Sequence, residues 1–349
     1  SGVPTPTYLE MLNICRGTIP PSMERTGRRQ ADSKRVTVAI AQSAPVYLNK
    51  RDSLAKALDL IQKAAGRNAQ LVAFGETWLP GYPAWLDVCP GAALWESSAV
   101  KDVFARLRDN SICIPGDEVN LLCEAARDLK IAVVMGANER VDDGPGNGTL
   151  YNSLLTISED GQLKNHHRKL VPTYTERLVW GNGDGRGLEA VSTAAGRVGG
   201  LICWEHWMPL ARMALHNSGE HIHVAVWPTV HDLHQLASRH YAFEGRCFVL
   251  AVGLMMPDGD LPRELREGVA SRADYGQWIE RGGSAIIGPD SHYVLDPVFD
   301  REELLICDLD LNQIDREMMT FDVSGHYSRP DLFRFETKVS VPGEKLKTE

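Results

Sequence analysis

Four residues of this chain have the chemistry of a nucleophile and its proton carriers: a thiol at Cys203, carboxyls at Glu76 and Glu176, and an ammonium at Lys169. In GGLICWEHWMPLARMALH, residues 199–216, an apolar strand-like run stops at Cys203 and a helix-like segment starts within a few residues. A thiol at such a junction sits near free backbone N–H groups, which stabilise a thiolate and lower its pKa. The same donors can receive negative charge growing on a substrate atom. Glu76 ends the apolar run LVAFG. A poorly solvated carboxylate there has a raised pKa and can shuttle a proton near neutrality. Lys169 follows a strand-like stretch and precedes a loop held by Pro172. A fixed cation in that place would lower the thiol pKa and hold developing negative charge. Glu176, in the same loop, could pair with Lys169 or orient it.

Each residue also has a plain alternative. Free cysteine is among the most buried residue types, and most cysteines are simply core. Cys15, Cys89, Cys113, Cys123, Cys247 and Cys307 keep that reading. Glu76 could be a strand-end carboxylate in solvent, Lys169 beside Arg168 a solvated face, and Glu176 half of a surface salt bridge. The residues alone leave these pairs of readings open.

Chemistry of this kind needs elements that bring distant segments to one place. RVTVAIAQS, 35–43, reads as a strand, and DSLAKALDLIQKAAGRNAQ as a helix with Leu54, Ala57, Leu58 and Ile61 on one stripe, closing near Gly66. QLVAFGE, 70–76, is a short apolar run, so the start is β-α-β. VNLLCEAARDLK reads as a helix and IAVVMGANE as a strand. Residues 151–169 read as two strands around Asp160-Gly161. VGGLIC, HIHVAVWP and RCFVLAVG read as strands, separated by the helices PLARMALHNSG and HQLASRHYAFEG. SAIIGPDSHYVLDP reads as a hairpin, and ELLICDLDLNQI as a strand entering a helix. Strands and helices mix without a linker. The expected class is α/β, with mixed sheets layered between helices. The expected organisation is a flexible N-terminal arm at 1–33, one catalytic domain at 34–335 and a polar tail at 336–349.

Bulk composition narrows the partners. Apolar residues make up 43% and charged residues 24% of the 349, so the chain is globular rather than disordered. A formal net charge of -9 argues against a nucleic-acid backbone or an anionic membrane as main partner. Seven cysteines without a CxxC pair argue against a disulfide scaffold and for a reducing cytoplasm. No signal-peptide pattern opens the chain, and no stretch is long and apolar enough to span a membrane.

The segments carrying these residues resemble the carbon-nitrogen hydrolase superfamily, and closely its nitrilase branch. FGETWLPGYP resembles the segment of that family's catalytic glutamate, HRKLVPTYTERLVWGNGDG that of its lysine and second glutamate, and GGLICWEHWMPLARMAL that of its nucleophile. The resemblance carries the roles to Glu76, Lys169, Glu176 and Cys203. The Trp204-Glu205 pair is similar to true nitrilases, where aliphatic amidases and carbamoylases usually depart. HVAVWPTVHDLHQLASRHYAFEGRCFVLAVG and DVSGHYSRPDLF extend the similarity over about residues 35–335. It implies a four-layer α-β-β-α sandwich with two mixed sheets, no cofactor and no metal. It also implies a homodimer or larger homo-oligomer, extending in some members into spirals. The tail looks short and the arm long beside such members.

The implied reaction is hydrolysis of a small-molecule nitrile by two waters, through a Cys203 thioimidate and then a thioester, to a carboxylic acid and ammonia. An aliphatic amidase or N-carbamoyl amide hydrolase of the same superfamily would use the same four residues. Tyr82, Tyr174, Trp204, His206, Trp207, Trp227, Pro228 and Thr229 are candidates for an apolar substrate cleft, with loop packing as the alternative. The wording MPLARMAL is closer to aliphatic or broad-range members. Glu205 reads as a further charged member or as a carboxylate at a helix start, and His326 belongs to a loop that organises the site region by resemblance.

Two rivals are weaker. His231, His234 and His240 with Asp232 match no HExxH spacing, so a metal centre is disfavoured. GNGDGRG, 181–187, fits neither GxGxxG after a strand nor GxxxxGK, and is read as turn glycines rather than a phosphate cradle.

Overall fold

Every apolar run singled out above becomes part of one of two sheets. The structure, a computed structural model, describes residues 34–266 and 277–338. The expected arm at 1–33 and residues 339–349 of the expected tail lie outside the described residues. In chain order the elements are β1 (Arg35–Gln42), α1 (Lys50–Ala65), β2 (Leu71–Phe74), α2 (Trp85–Val88), α3 (Ser98–Asn110), α4 (Asp117–Leu129), β3 (Ala132–Arg140), β4 (Leu150–Ile157) and β5 (Leu163–Arg168). There follow β6 (Val191–Thr193), β7 (Gly196–Ile202), α5 (Pro209–Asn217), β8 (Ile222–Trp227), α6 (Asp232–Gly245), β9 (Phe248–Gly253), β10 (Met255–Pro257), β11 (Trp278–Ile287), β12 (Tyr293–Phe299), β13 (Glu303–Asp310) and α7 (Asn312–Glu317).

The first sheet has the order β13-β1-β2-β3-β4-β5, parallel from β1 to β3 and antiparallel elsewhere. The second has the order β10-β11-β9-β8-β7-β6, with β12 on β11 and parallel pairing from β7 to β9. Side chains alternate across a strand, so each inner strand serves two interfaces. Val36, Val38 and Ile40 of β1 share an apolar cluster with Leu201, Val224 and Leu250 of the second sheet. Ala39 and Ala41 share the other cluster with Ala57 and Ile61 of α1 and Leu122 and Ala126 of α4. Ala214, Ala237 and Tyr241 of α5 and α6 cover the second sheet. The result is a four-layer α-β-β-α sandwich with two mixed sheets. Burial on both faces explains why the strands read as near-continuous apolar runs.

Local signals fix the ends. Asn49 caps α1 by accepting from the Asp52 amide at 3.1 Å. Arg246 adopts φ 50° at the end of α6, so β9 begins at Phe248 and Cys247 stands just before the strand rather than inside it. Helix α3 has no counterpart in the sequence reading. Its fully buried stripe is only Val103 and Leu107, too sparse for a clear period.

The loop after β2 runs 75–84 and is buried throughout. A buried loop is stable only if its polar groups are satisfied. Leu79 N–H donates to Gly136 O at 3.0 Å, Asn138 N–H to Leu79 O at 2.8 Å, and the Trp78 indole to Ser43 O at 2.6 Å. Position 136 must be glycine for this approach: a Cβ there would stand 2.0 Å from Gly75 O.

Candidate active site

The two parallel strand sets end on the same region, where α/β sheets commonly place their ligands. Glu76 lies two residues past β2, Lys169 directly past β5, and Cys203 directly past β7. None of Glu76, Lys169, Glu176 and Cys203 is more than 3% exposed. The structure brings all four together. Lys169 Nζ donates to Glu76 Oε1 at 3.0 Å and to Glu176 Oε2 at 2.6 Å. One carboxylate oxygen of Glu76, one of Glu176 and Cys203 Sγ lie within 4.8 Å of one another.

The alternation of β5 decides where the lysine goes. His167 is turned inward and Lys169, two residues on, follows it. His166 and Arg168 point the other way and meet Glu139, with His166 Nε2 at 2.8 Å and Arg168 Nε at 2.9 Å. The neighbouring Arg168 is therefore no guide to Lys169. The glycines of 181–187 also belong here. Arg186 and Gly187 form a turn, with Leu188 N–H donating to Gly185 O at 3.3 Å, as the turn reading expects, although none of these glycines has a positive φ. Gly183 donates to Lys169 O at 2.8 Å, and a Cβ on it would stand 2.2 Å from Arg168 O. A Cβ on Gly187 would stand 2.4 Å from His167 Cα. Gly183 and Gly187 are therefore also points of close approach to the lysine strand.

The two carboxylates are held differently. Both oxygens of Glu176 are taken: Oε1 accepts from the Tyr82 hydroxyl at 3.0 Å, and Oε2 accepts from Lys169 and from the Thr173 amide at 2.7 Å. Glu76 Oε1 accepts from Lys169 and from Asn152 Nδ2 at 2.7 Å, while Glu76 Oε2 is buried with no hydrogen-bond partner. Burial pushes the Glu76 pKa up to about 7, with the Glu176 charge adding to it and Lys169 opposing. Burial also pulls on the Lys169 ammonium, but Glu76, Cys203 and Glu176 outweigh it and its pKa is raised.

Cys203 differs from the sequence expectation in one respect. Burial and then the Glu76 charge hold its thiol well above the usual range, against the lowering effects of Lys169 and the Trp204 amide. The resting group is a thiol. Its backbone is in the left-handed region at φ 52°, as are Thr77 at 45° and Tyr174 at 41° in the other two loops. Non-glycine residues in that region cost about 1–3 kcal/mol each and persist only where the surroundings hold them.

Glu205 is the residue whose place the sequence left most open. Its buried carboxylate accepts from Ile202 N–H at 2.7 Å, Leu170 N–H at 2.8 Å and His167 Nε2 at 2.8 Å. It therefore ties the lysine segment of one sheet to the cysteine segment of the other. Despite burial its pKa is lowered, because His167 and the two amides favour the charged form. Glu205→Ala is expected to lower unfolding free energy by about 3 kcal/mol or more, since two amides and an imidazole lose their buried acceptor. Urea unfolding of the variant checks this, and a loss below about 1 kcal/mol would count against the clamp.

Of the proposed cleft residues, Trp204, Trp207 and Tyr174 expose part of their rings, Tyr174 to 81%. Tyr82 is buried on Glu176. Trp227 is fully buried and stacks between His206 and His234. Thr229 donates to Glu280 Oε2 at 2.6 Å and accepts from the Arg281 amide at 2.9 Å. Pro228 accepts from the Leu254 amide at 2.5 Å. His206 faces the carbonyl of Cys203 rather than a cleft, at 2.7 Å. His326 is largely exposed and pairs with Asp322 at 3.0 Å. Asn152 and His167 carried no signal in the sequence, being polar residues inside strand-like runs.

Among the described residues, Glu76, Glu176 and Cys203 form the one group with donor atoms close enough for a metal ion. The cation at the centre of that group is the Lys169 ammonium, which already holds one oxygen of each carboxylate. His231 and His234 form no such group; His234 is stacked on Trp227.

A buried thiol, two carboxylates and an ammonium on the strand ends of an α-β-β-α sandwich define a class of thiol-dependent hydrolases. The chain belongs to the carbon-nitrogen hydrolase family, whose model matches residues 37–316. It is 41% identical to a protein named nitrilase 2 from an unknown prokaryotic organism, over 86% of this chain and 92% of that one. It is 38% identical to an aliphatic nitrilase of Sinorhizobium fredii, over 85% and 93% of the two chains. Among solved structures it is similar to Nit3 of Saccharomyces cerevisiae, a member of branch 10 of the nitrilase superfamily. The TM-score is 0.64 and the identity 20%, over 84% of this chain and 97% of that one. No helix of the described residues is long and apolar enough to cross a membrane.

Proposed function

We propose that this carbon-nitrogen hydrolase is a nitrilase, with Cys203 as nucleophile, Glu76 as general base and acid, Lys169 as electrostatic stabiliser and Glu176 as its positioning partner. The observations that support the assignment are a Glu76 carboxylate oxygen within 4.8 Å of Cys203 Sγ and a Glu76 Oε2 without a hydrogen-bond partner, against a Glu176 with both oxygens engaged. Glu76 Oε2 takes the proton of Cys203, and the sulfur bonds to the nitrile carbon. The nitrile nitrogen takes a proton, giving the thioimidate, with charge stabilised by Lys169 and the Trp204 N–H. Glu76 then removes a proton from water as its oxygen adds to the same carbon. Breaking C–N releases ammonia and leaves the thioester; a second water breaks C–S, releases the acid and returns the thiol. If C–S breaks before C–N, the amide is released instead.

The preference for nitriles over amides rests on Trp204-Glu205 and on the names of the relatives. The cleft we assign has Trp204, Trp207 and Tyr174 at its mouth and Tyr82 near Glu176, with Trp227, Pro228 and Thr229 behind them and His206 outside it, on the Cys203 carbonyl. Residues 34–335 form the catalytic domain in this reading. The enzyme acts in the cytoplasm as a homodimer or larger homo-oligomer, and the chemistry as written needs no cofactor.

A panel of aliphatic, aromatic and arylacetic nitriles, beside the matching amides and N-carbamoyl compounds, tests the proposal by ammonia release and product identity. Acid and ammonia from at least one nitrile class are expected, with aliphatic nitriles turned over best. Turnover confined to amides or carbamoyl compounds would replace the nitrilase reading with that of its superfamily relatives.

A further inference from the structure

A row of buried polar side chains starts at the Cys203 carbonyl: His206 in the turn after β7, His223 on β8, Glu220 just before β8 and Tyr241 on α6. His206 Nδ1 is 2.7 Å from Cys203 O, and His206 Nε2 is 3.0 Å from His223 Nε2. His223 Nδ1 is 2.6 Å from Glu220 Oε1, and the Tyr241 hydroxyl donates to Glu220 Oε2 at 2.5 Å. All four side chains are nine-tenths or more buried. The mechanism above uses none of them.

The chemistry of each atom fixes where the protons lie. A carbonyl oxygen only accepts, so His206 carries its proton on Nδ1. Burial and the neighbouring His223 hold His206 neutral, so its Nε2 is bare and must accept from His223 Nε2–H. If His223 is neutral, its Nδ1 is then bare, and Glu220 must bear the proton between them. If Glu220 is ionised, His223 must be doubly protonated. In both cases Glu220 and His223 share one proton beyond a carboxylate and a neutral imidazole. Without it, one N–H serves two gaps. Either His223 Nδ1 is left bare against the Glu220 carboxylate, or two bare Nε2 atoms face each other. His206 escapes the second arrangement only by moving its proton to Nε2, which releases Cys203 O.

We propose that Glu220 and His223 are positioning residues whose shared proton, relayed through His206, holds the Cys203 carbonyl and with it the left-handed backbone that aims the thiol. The inference rests on Cys203 being the nucleophile. The conformation at φ 52° needs an outside hold, and this row supplies one. The proton has an exit: Glu220 and His216 line a cavity of about 180 Å³ whose wall includes the exposed Asp315 and Ser324. Other charged groups face the row. His216 lies 4.0 Å from Glu220 and 3.1 Å from Glu244, Arg212 binds Glu244 at 2.6 Å and His206 O at 3.1 Å, and Glu205 with His167 borders His223. Cys247 borders Glu220. Burial pushes Glu220 up to about 7, so the proton leaves as the pH rises through that value.

Glu220→Gln separates the proton from its pH dependence. The amide donates to His223 Nδ1 at every pH, while its carbonyl accepts from Tyr241. In the wild type, kcat is expected to fall above about pH 7 with little change in KM. The ratio of kcat at about pH 8 to kcat at about pH 6 is expected to be about tenfold higher in Glu220→Gln. Histidine ¹⁵N NMR of the wild-type protein is expected to show His206 protonated on Nδ1 at the lower pH and changed at the higher. Equal kcat ratios in the two proteins, or a His206 with Nδ1 bare at low pH, overturn the proposal. Should Glu220→Gln not fold, the wild-type NMR decides. Turnover by Cys203→Ala would instead defeat the nucleophile reading, and the NMR result would still judge the proton row.

Discussion

Cys203→Ala is expected to lower kcat/KM by about 10,000-fold or more while the fold survives, because it removes the atom that forms both covalent intermediates. No other buried group in the cluster can take its place. Glu76 and Glu176 carry oxygen, and Lys169 is held as an ammonium between their two carboxyl groups. Cys203→Ser places a hydroxyl in the same position, but burial and the adjacent carboxylates that raise the thiol would oppose an alkoxide still more. It too should be inactive. The lost sulfur leaves a small gap and no unpaired charge, so thermal unfolding should move little. Intact-protein mass during turnover should show a substrate-derived adduct on the wild type and none on the alanine variant. Turnover by Cys203→Ala within about tenfold of the wild type would sink the covalent mechanism.

The second large effect separates the two glutamates. Glu76→Gln should reduce kcat/KM by about 1,000-fold, the middle of the range for general acid–base catalysis, and should not lower stability at neutral or alkaline pH. The sign follows from the raised pKa. The fold tolerates neutral Glu76 better, so its contribution is fully present below about 4.5 and is lost as pH rises through about 7. Two buried carboxylates share one ammonium, and glutamine at 76 leaves Lys169 and Glu176 as a balanced pair. Glu176→Gln should behave differently. It weakens an acceptor for Lys169, Thr173 N–H and Tyr82, so activity and melting temperature should fall together. Lys169→Met should be the least stable of the set, by about 3–5 kcal/mol, because it strands two carboxylates in a dry interior. Melting curves beside ammonia-release rates check the whole pattern. Equal loss of stability in Glu76→Gln and Glu176→Gln would remove the distinction between base and positioning partner.

Several features of the site were legible because they depend on chain order. A strand that stops at Cys203, an apolar run that ends in Glu76 and a strand that ends at Lys169 are local patterns. The two-sided burial of the sheets wrote them as continuous apolar runs. Glu205 was legible as a carboxylate at a helix start but not as a clamp, because its partners, Leu170 and His167, lie far away in sequence. The glycines at 181–187 were legible as turn residues, and a turn closes from Gly185 to Leu188, but not as points of close approach to the lysine strand at Gly183 and Gly187. A close approach of two backbones leaves the same letter in the sequence as a positive φ. Asn152, inside an apolar strand, gave no sign that its amide would meet Glu76.

The sequence by itself determined the composition of the site: which residues end which strands, and the layered α/β class that presents strand ends together. Tertiary structure decided the protonation and the division of labour. The thiol is raised rather than lowered, Glu76 keeps a free oxygen and Glu176 does not, and a row of buried polar side chains starts at the Cys203 carbonyl. Spacing along a chain records what each segment can do. The pKa of a buried group depends on distances, burial and lone pairs contributed by other segments, and these exist only once the two sheets have closed on each other.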